Sequence, residues 1–361
     1  MTIGINAAAA AKQPRTGVEA YVYQLIKGLA ALKESKKHRF ILFSPQKNNL
    51  NFELPDNFEV KELNWSWPFW TQARLAREML FNQPEVLFIP VHVLPLIHPK
   101  NSVVTIHGLE YEYFPEMYPK KRLIYLRWST KYAVKNARKI IAVSKNTKND
   151  LVKLYGADPE KISVIYHGIK IPDNIKKRKD DLGKFFLYLG RLEEKKNIAG
   201  LISGFEMLKK RYQLPHKLVL AGPAGHGYKK IKSKIQSASQ RLKFKGDIVE
   251  LGYISEEEKW QLLKSATAFV FPSFYEGFGL PILEAQASGC PVITSDVSSM
   301  PEVTGEGGIL IKPEVEQICQ AMYKIADDAD LKERLITSGY WNVNKFSWQK
   351  CAKETLRELT N

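Results

Sequence analysis

The 361-residue chain is poor in cysteine and has no long apolar run. Its three cysteines, Cys290, Cys319 and Cys351, are odd in number and far apart. That spacing argues against a disulfide framework or a metal knot and points to a reducing cytoplasm. No apolar stretch is long enough to span a bilayer. Near the N-terminus, Ile3–Ile5 is the only apolar core, and Ala7–Ala11 runs into Lys12 and Arg15, unlike a secretory signal. No G-x-G-x-x-G follows Asn6 or Leu189, which argues against a nicotinamide dehydrogenase. A zinc-ligand array and a clustered basic–aromatic RNA motif are both missing, so nucleic acid is not the expected partner despite the charge. No short-period repeat is evident.

What is there is an ordinary globular composition, 44% hydrophobic and 25% charged, on a chain long enough for two domains. The net charge is +16, and it is uneven. Residues 1–172 hold 25 Lys and Arg against 14 Asp and Glu; residues 173–361 hold 29 against 24. Such a field favours anionic partners: nucleotides, nucleic acid or an acidic membrane surface.

Short apolar runs alternate with helical spacing along the whole chain. Thr2–Asn6, Arg39–Phe43, Val86–Ile89, Val103–Ile106, Ile140–Val143 and Ile162–Tyr166 read as buried strands. Helical patterns follow Gly17 and lie near 70–82, 119–138 and 144–156. The pattern lapses in the polar, turn-rich stretch 171–184, read as a linker. It restarts with strands at Phe185–Leu189, Lys217–Ala221, Thr267–Phe271, Pro291–Thr294 and Gly308–Ile311. Helices are expected at 197–212, 255–265 and 314–326, the second opened by a Ser255/Glu258 capping box. A last helix, about Trp348–Leu359, follows Ser347 as N-cap. The expectation is α/β, two Rossmann-like parallel-sheet domains in tandem, 1–172 and 173–346. Ligands of such sheets bind beyond the strands' carboxyl ends. The informative loops therefore follow Asn6, Ile106, Leu189, Ala221 and Phe271.

The richest of these is the stretch 269–294, FVFPSFYEGFGLPILEAQASGCPVIT. It reads as strand, glycine turn, helix, strand. Gly277 and Gly279 let backbone approach a ligand closely. Pro281 suits a helix start, whose free N–H groups attract phosphate. Glu276 precedes the helix and Glu284 lies about one turn inside it, too far apart for a local acid/base pair. They suit two separate anchors on a polyhydroxylated ligand, since a carboxylate accepts two hydrogen bonds from a diol. The bland alternative is one surface and one helix-end glutamate.

Other motifs are individually weaker. GRLEEKKN after Leu189 offers Gly190, Arg191 and Lys196, either a diphosphate clamp or a solvated charged loop. His107 and Gly108 stand at a strand end, where a histidine can meet a substrate hydroxyl or serve the fold. His167 is read as a hinge residue. The AGPAGHGY loop, with Gly222, Gly225 and Gly227, is read as a plain turn. Trp65, Trp67, Phe69 and Trp70 precede an amphipathic helix with Arg74 and Arg77, and Arg127, Lys131, Lys135 and Arg138 form a basic stripe. Both fit an anionic membrane surface; aromatic packing and a solvated face are the alternatives. Asp327-Asp328 is read as surface rather than a metal pair.

Taken in order, these motifs resemble the retaining family-4 ("group 1") glycosyltransferases. EGFGLPILE carries that family's E-x7-E signature at Glu276 and Glu284. VSKNTKNDL (143–151), ISVIYHGI (162–169), LGRLEEKKN (189–197), PEVTGEGGILIKP (301–313) and FSW (346–348) complete the set. The resemblance implies a GT-B fold, two Rossmann-like domains facing each other across a cleft, with 347–361 crossing back to the acceptor-binding N-terminal domain. It implies that the C-terminal domain binds a nucleotide-sugar. Arg191 and Lys196, with Gly190, would hold the diphosphate, and Glu284 the ribose. Glu276 and the amides of Gly277, Phe278, Gly279 and Leu280 would hold the hexose and phosphate. His107 would lie near the anomeric carbon, and Gly17 would let the first loop approach. Thr16 stands before Gly17 where many relatives have a second glycine.

The implied reaction moves a hexose, with retention, to an acceptor hydroxyl in glycan assembly. It needs no cofactor and no metal. Overall likeness leans to mannose from GDP-mannose, with UDP-hexoses next; a phosphorylase or epimerase on the same fold is the nearer rival. A glycan or lipid-linked glycan is the expected acceptor, and the expected location is the cytoplasm, peripheral at the inner membrane face.

Overall fold

The computed structural model describes every residue except 13–14, 16, 47–49, 66–68, 178–181 and 242–245. Trp67 and part of the 171–184 linker therefore lie outside the described residues. The chain forms two compact units, Met1–Gly168 with Phe346–Asn361, and Ile169–Lys345.

Unit 1 is built on a seven-stranded sheet, β1 (Thr2–Asn6), β2 (Arg39–Ser44), β3 (Phe58–Glu62), β4 (Val86–Ile89), β5 (Ser102–Ile106), β6 (Lys139–Ala142) and β7 (Ile162–Val164). All neighbours are parallel, in the order β3-β2-β1-β4-β5-β6-β7. Its helices are α1 (Gly17–Ala31), α2 (Ala76–Phe81), α3 (Glu110–Tyr113), α4 (Lys120–Asn136) and α5 (Lys145–Tyr155). β4 and β5 are buried along their whole length, as a sheet covered on both faces requires. β3 was not expected from the sequence. FEVKE is an edge strand with a partly exposed face, so it lacks the continuous apolar run that marks its neighbours.

Unit 2 has six parallel strands, β8 (Phe185–Leu189), β9 (Lys217–Ala221), β10 (Ile248–Gly252), β11 (Ala268–Phe271), β12 (Val292–Ser295) and β13 (Gly308–Ile311), ordered β10-β9-β8-β11-β12-β13. The unexpected strand is again an edge, β10, whose sequence IVELG is mostly part-exposed. Helices α6 (Ile198–Tyr212), α7 (Tyr228–Arg241), α8 (Glu256–Ser265), α9 (Leu280–Ala287), α10 (Met300–Thr304), α11 (Val315–Asp327) and α12 (Ala329–Val343) complete it. The Ser255/Glu258 capping box at α8 is formed in both directions. Of Asp327-Asp328, Asp327 ends α11 and is exposed, and the Asp328 carboxylate accepts from Leu331 N at 2.8 Å and caps α12.

The chain then returns to unit 1 as α13 (Trp348–Thr360), capped by Ser347. Two glycines set its closeness. A Cβ on Gly168 would lie 2.1 Å from Trp348 N, and one on Gly28 2.9 Å from Ala352 Cβ. Cys351, Ala352, Leu356 and Leu359 join the core formed by Tyr21, Leu25 and Leu29 of α1. The Arg138 guanidinium donates to Glu358 O at 2.7 Å. That bond removes Arg138 from the expected basic stripe, and Arg127 pairs with Glu112 at 2.8 Å; Lys131 and Lys135 stay exposed.

Candidate active site

Both sheets reverse strand order at one place, β1/β4 in unit 1 and β8/β11 in unit 2. Loops leaving the carboxyl ends there diverge and open a crevice. In unit 2 the first such loop leaves β8 through Gly190, at φ +139°. Gly222, at φ +142° after β9, backs directly onto it: a Cβ there would sit 2.0 Å from Gly190 O. Gly225 leaves room for the stems of Arg191 and Glu193, which a Cβ would meet at 2.7 and 2.2 Å. The AGPAGHGY loop is thus more than a turn, because its glycines let the Arg191 segment lie flat against it. The Arg191 carbonyl accepts from the buried Tyr188 hydroxyl at 3.1 Å. Its guanidinium stays half exposed, 3.4 Å from Glu193.

The same loop delivers Lys196, and the loop after β11 delivers Glu276. Their side chains meet in a direct ion pair across the switch point, only 15% and 13% exposed. The Lys196 ammonium also lies 5.1 Å from the centre of the Phe271 ring. The glycine turn is clamped from behind. Ser298 Oγ donates to Glu276 O at 2.5 Å, and Ser299 Oγ lies 2.8 Å from both Glu276 O and Phe278 O. Ser298 takes a left-handed φ of +57° to do so. Gly279, at φ +106°, is the N-cap of α9 and its conformation favours glycine. Pro281 is the second residue of α9 and follows Leu280, so the helix begins one residue earlier than expected. Glu284, on α9, pairs with Lys259 of α8 at 2.6 Å. The two glutamates therefore have separate cations, and Lys259 is the residue that sequence reasoning missed. Its only signal was a basic residue four positions after the Ser255 cap, on a helix otherwise opened by acids.

One strand along from the unit 1 switch point, after β5, the chemistry is that of neutral rings. His107 follows β5, and its Nε2 lies 2.8 Å from Pro90 O, after β4. A carbonyl only accepts, so Nε2 carries the proton and Nδ1 the lone pair. Burial, then neighbouring His92, pushes the His107 pKa down to about 3. The Tyr21 ring meets it edge-on at 4.7 Å, and His167 lies at 5.6 Å. His167, expected as a hinge, is buried and stacks on Trp348 of α13. Gly17 begins α1, and among the described residues nothing lies within 4 Å of a Cβ placed on it. Among the described residues of unit 1, no backbone contact requires glycine there.

The family model described as "Glycosyl transferases group 1" matches residues 170–341, and "Glycosyltransferase Family 4" matches 15–171. The chain is 30% identical over 266 residues to the O-antigen chain mannosyltransferase RfbU of Salmonella typhimurium, covering 73% of this chain and 71% of that one. It is a group 1 glycosyltransferase. The O-antigen chain mannosyltransferase B of Escherichia coli is 27% identical over 96% of both chains. Among solved structures, sucrose-phosphate synthase from Thermosynechococcus elongatus superposes with TM-score 0.74 over 99% of this chain and 98% of that one, at 18% identity. The Anabaena HepE complex with UDP-glucose does so with TM-score 0.74 at 17% identity, covering 100% and 99%. The architecture of this glycosyltransferase is GT-B, two Rossmann-like parallel-sheet domains.

Of the residues expected in the enzyme's site, Arg191, Lys196, Glu276 and Gly190 gather with the Gly277–Leu280 turn at the unit 2 switch point. Glu284 stands on the helix that the turn opens. His107 and Gly17 belong to unit 1. In the aromatic segment, the Trp70 indole donates to Leu63 O at 3.0 Å and packs on the unit 1 core, whereas Phe69 is 66% exposed. Among the described residues no helix is long and apolar enough to cross a membrane.

Proposed function

We propose that this glycosyltransferase moves a hexose, mannose from GDP-mannose before other donors, to an acceptor hydroxyl with retention of configuration, in assembly of a surface glycan. The carrying observation is the Lys196–Glu276 pair at the switch point, between the loop after β8, which also carries Arg191, and the turn that opens α9. A diphosphate entering there draws Lys196 away from Glu276 and engages Arg191 and the turn's amides. Glu276, released, accepts from the hexose hydroxyls, and Glu284 accepts from the ribose. The neutral His107, with its lone pair on Nδ1, accepts from a hydroxyl of the transferred sugar.

As the bond to the diphosphate breaks, negative charge grows on the leaving oxygens and the sugar becomes oxocarbenium-like. Two cations and a helix N-terminus meet that charge, so the proposed transfer needs no metal. The leaving phosphate takes the acceptor's proton while the acceptor attacks from the same face. A trapped glycosyl–enzyme adduct, or activity abolished by a chelator, contradicts this course.

The names of the two O-antigen mannosyltransferases support mannose as donor sugar and a glycan as acceptor. A screen of GDP-mannose, UDP-glucose and UDP-galactose, scored by released nucleoside diphosphate with and without acceptor, tests the donor. Turnover of GDP-mannose supports the reading, and turnover of a UDP-hexose alone moves it to the other donor class.

The lipid-linked form of the acceptor rests on α4. Its sequence KKRLIYLRWSTKYAVKN has six cations and no acid. Tyr125, Trp128 and Tyr132 follow one another along it at ring separations of 5.9 and 5.6 Å, with Ile124 and Phe69 exposed nearby. A basic helix with an aromatic ridge suits an anionic membrane. Flotation with vesicles containing phosphatidylglycerol, but not with purely zwitterionic ones, is the expected result; no flotation with either removes the membrane from the proposal.

A further inference from the structure

Lys259 stands one turn into α8, directly after the capping box that fixes the helix start. Its ammonium reaches two carboxylates, Glu284 Oε1 at 2.6 Å and Glu256 Oε2 at 2.9 Å. They are not equivalent. The Glu256 side chain is 82% exposed, while those of Lys259 and Glu284 are 17% and 20% exposed. An exposed ion pair is screened and contributes little; the sheltered pair with Glu284 is the one that fixes geometry. The ammonium also lies 5.4 Å from the Trp260 ring centre, and that ring packs with Ala287 of α9 and Val343 of α12. α8 and α9 are thereby joined by a packed aromatic and a salt bridge side by side. Burial disfavours the charged lysine, but Glu284 and Glu256 more than offset it and hold its pKa above the ordinary value.

We infer that Lys259 is the positioning residue of Glu284, holding the carboxylate by Oε1 so that Oε2 is presented to the ribose hydroxyls of the donor nucleotide. A glutamate left alone on a helix surface samples several rotamers, and a ligand that needs one of them must order it. A cation fixed from the neighbouring helix orders it beforehand. The lysine acts on the ribose end of the nucleotide only. The diphosphate end has its own cations, Arg191 and Lys196. The inference rests on Glu284 being the ribose carboxylate.

The test is titration of GDP and of 2′,3′-dideoxy-GDP, with UDP and its dideoxy form as a second pair, against wild type, Lys259→Met, Lys259→Arg and Glu284→Gln. Methionine keeps the apolar stem against Trp260 and removes the charge. Lys259→Met should weaken the ribonucleotide roughly 3- to 10-fold, the scale of ordering one long side chain. It should raise donor KM with kcat little changed and leave the dideoxynucleotide unaffected. Lys259→Arg should restore most of the loss, and Lys259→Met added to Glu284→Gln should cost nothing more. Equal weakening of both nucleotides by Lys259→Met, or weakening of neither, overturns the inference while leaving Glu284 in place. Glu284→Gln binding the ribonucleotide as wild type does overturns the ribose reading itself, and so does failure of wild type to bind either nucleotide; the inference falls with it.

Discussion

The two sheets share one strand order, yet their switch points carry different chemistry. In unit 1, His107 after β5 meets Tyr21 of α1 edge-on, and the His167 ring lies tilted beside both. His107 and His167 are held neutral by burial. In unit 2 the loops after β8 and β11 present a sheltered ion pair, Lys196–Glu276, and one helix away lies Lys259–Glu284. Topology decides where loops converge, and loop residues decide what the convergence can bind. A neutral, lone-pair-bearing wall suits hydroxyls. A wall of paired charges suits a ligand that is itself both anionic and hydroxylated, because it can exchange partners with each pair.

The largest expected effect breaks the charged side. Glu276→Ala should lower kcat by roughly 10²–10³-fold, the usual cost of removing a preorganised group, with diphosphate affinity almost unchanged. Steady-state kinetics alongside titration checks this. A loss confined to affinity would mean that Glu276 and Glu284 have exchanged roles. Glu284→Ala comes next and should weaken nucleoside diphosphate binding by about 1.5–3 kcal/mol, the scale of a hydrogen bond to a charged group. Calorimetry is the measurement.

On the neutral side, Gly168→Ala should cost about 1–3 kcal/mol of unit 1 stability, because the new Cβ overlaps the backbone of Trp348 and must push α13 away. Gly28→Ala, meeting only a methyl, should cost less. Denaturant unfolding followed by tryptophan fluorescence and circular dichroism compares them, and equal costs would show that α13 yields freely.

The smallest effect sharpens the contrast by pH. His38, His92, His107 and His167 of unit 1 are all held below the ordinary histidine pKa, with burial the first cause, and so is His216 of unit 2, at about 4. The unfolded chain takes up these protons below about pH 6.5 while the fold refuses them. Stability is therefore full above that pH and declines as pH falls towards the folded values, about 3 for His107. Unit 1, with four such rings, should lose more hydrogen-exchange protection than unit 2 between pH 7 and pH 5. The opposite ranking would contradict the buried, neutral assignment.

Much of this was legible in the residues. Central strands such as FFLYL and VLFI announce themselves, because burial on both faces demands continuous apolar runs. The edges β3 and β10 did not, since a half-exposed strand admits Glu and Lys. Glu276, Glu284, Arg191 and Lys196 stood out by motif, but their pairing did not. Lys196 and Glu276 are eighty positions apart and meet only because β8 and β11 are neighbours. Lys259 was invisible for a related reason. Nothing in SEEEKW distinguishes it from a solvated lysine until α8 lies beside α9. The basic stripe on α4 looked continuous in sequence and lost Arg138 to the returning α13.

The central claim is that the unit 2 switch point holds the nucleotide-sugar by two carboxylates with separate duties. Titration of GDP into wild type, Glu276→Ala and Glu284→Ala under one set of conditions tests it most directly. The account predicts near wild-type affinity for Glu276→Ala and a loss of about tenfold or more for Glu284→Ala. Unchanged affinity in Glu284→Ala, with the loss falling on Glu276→Ala instead, would contradict it.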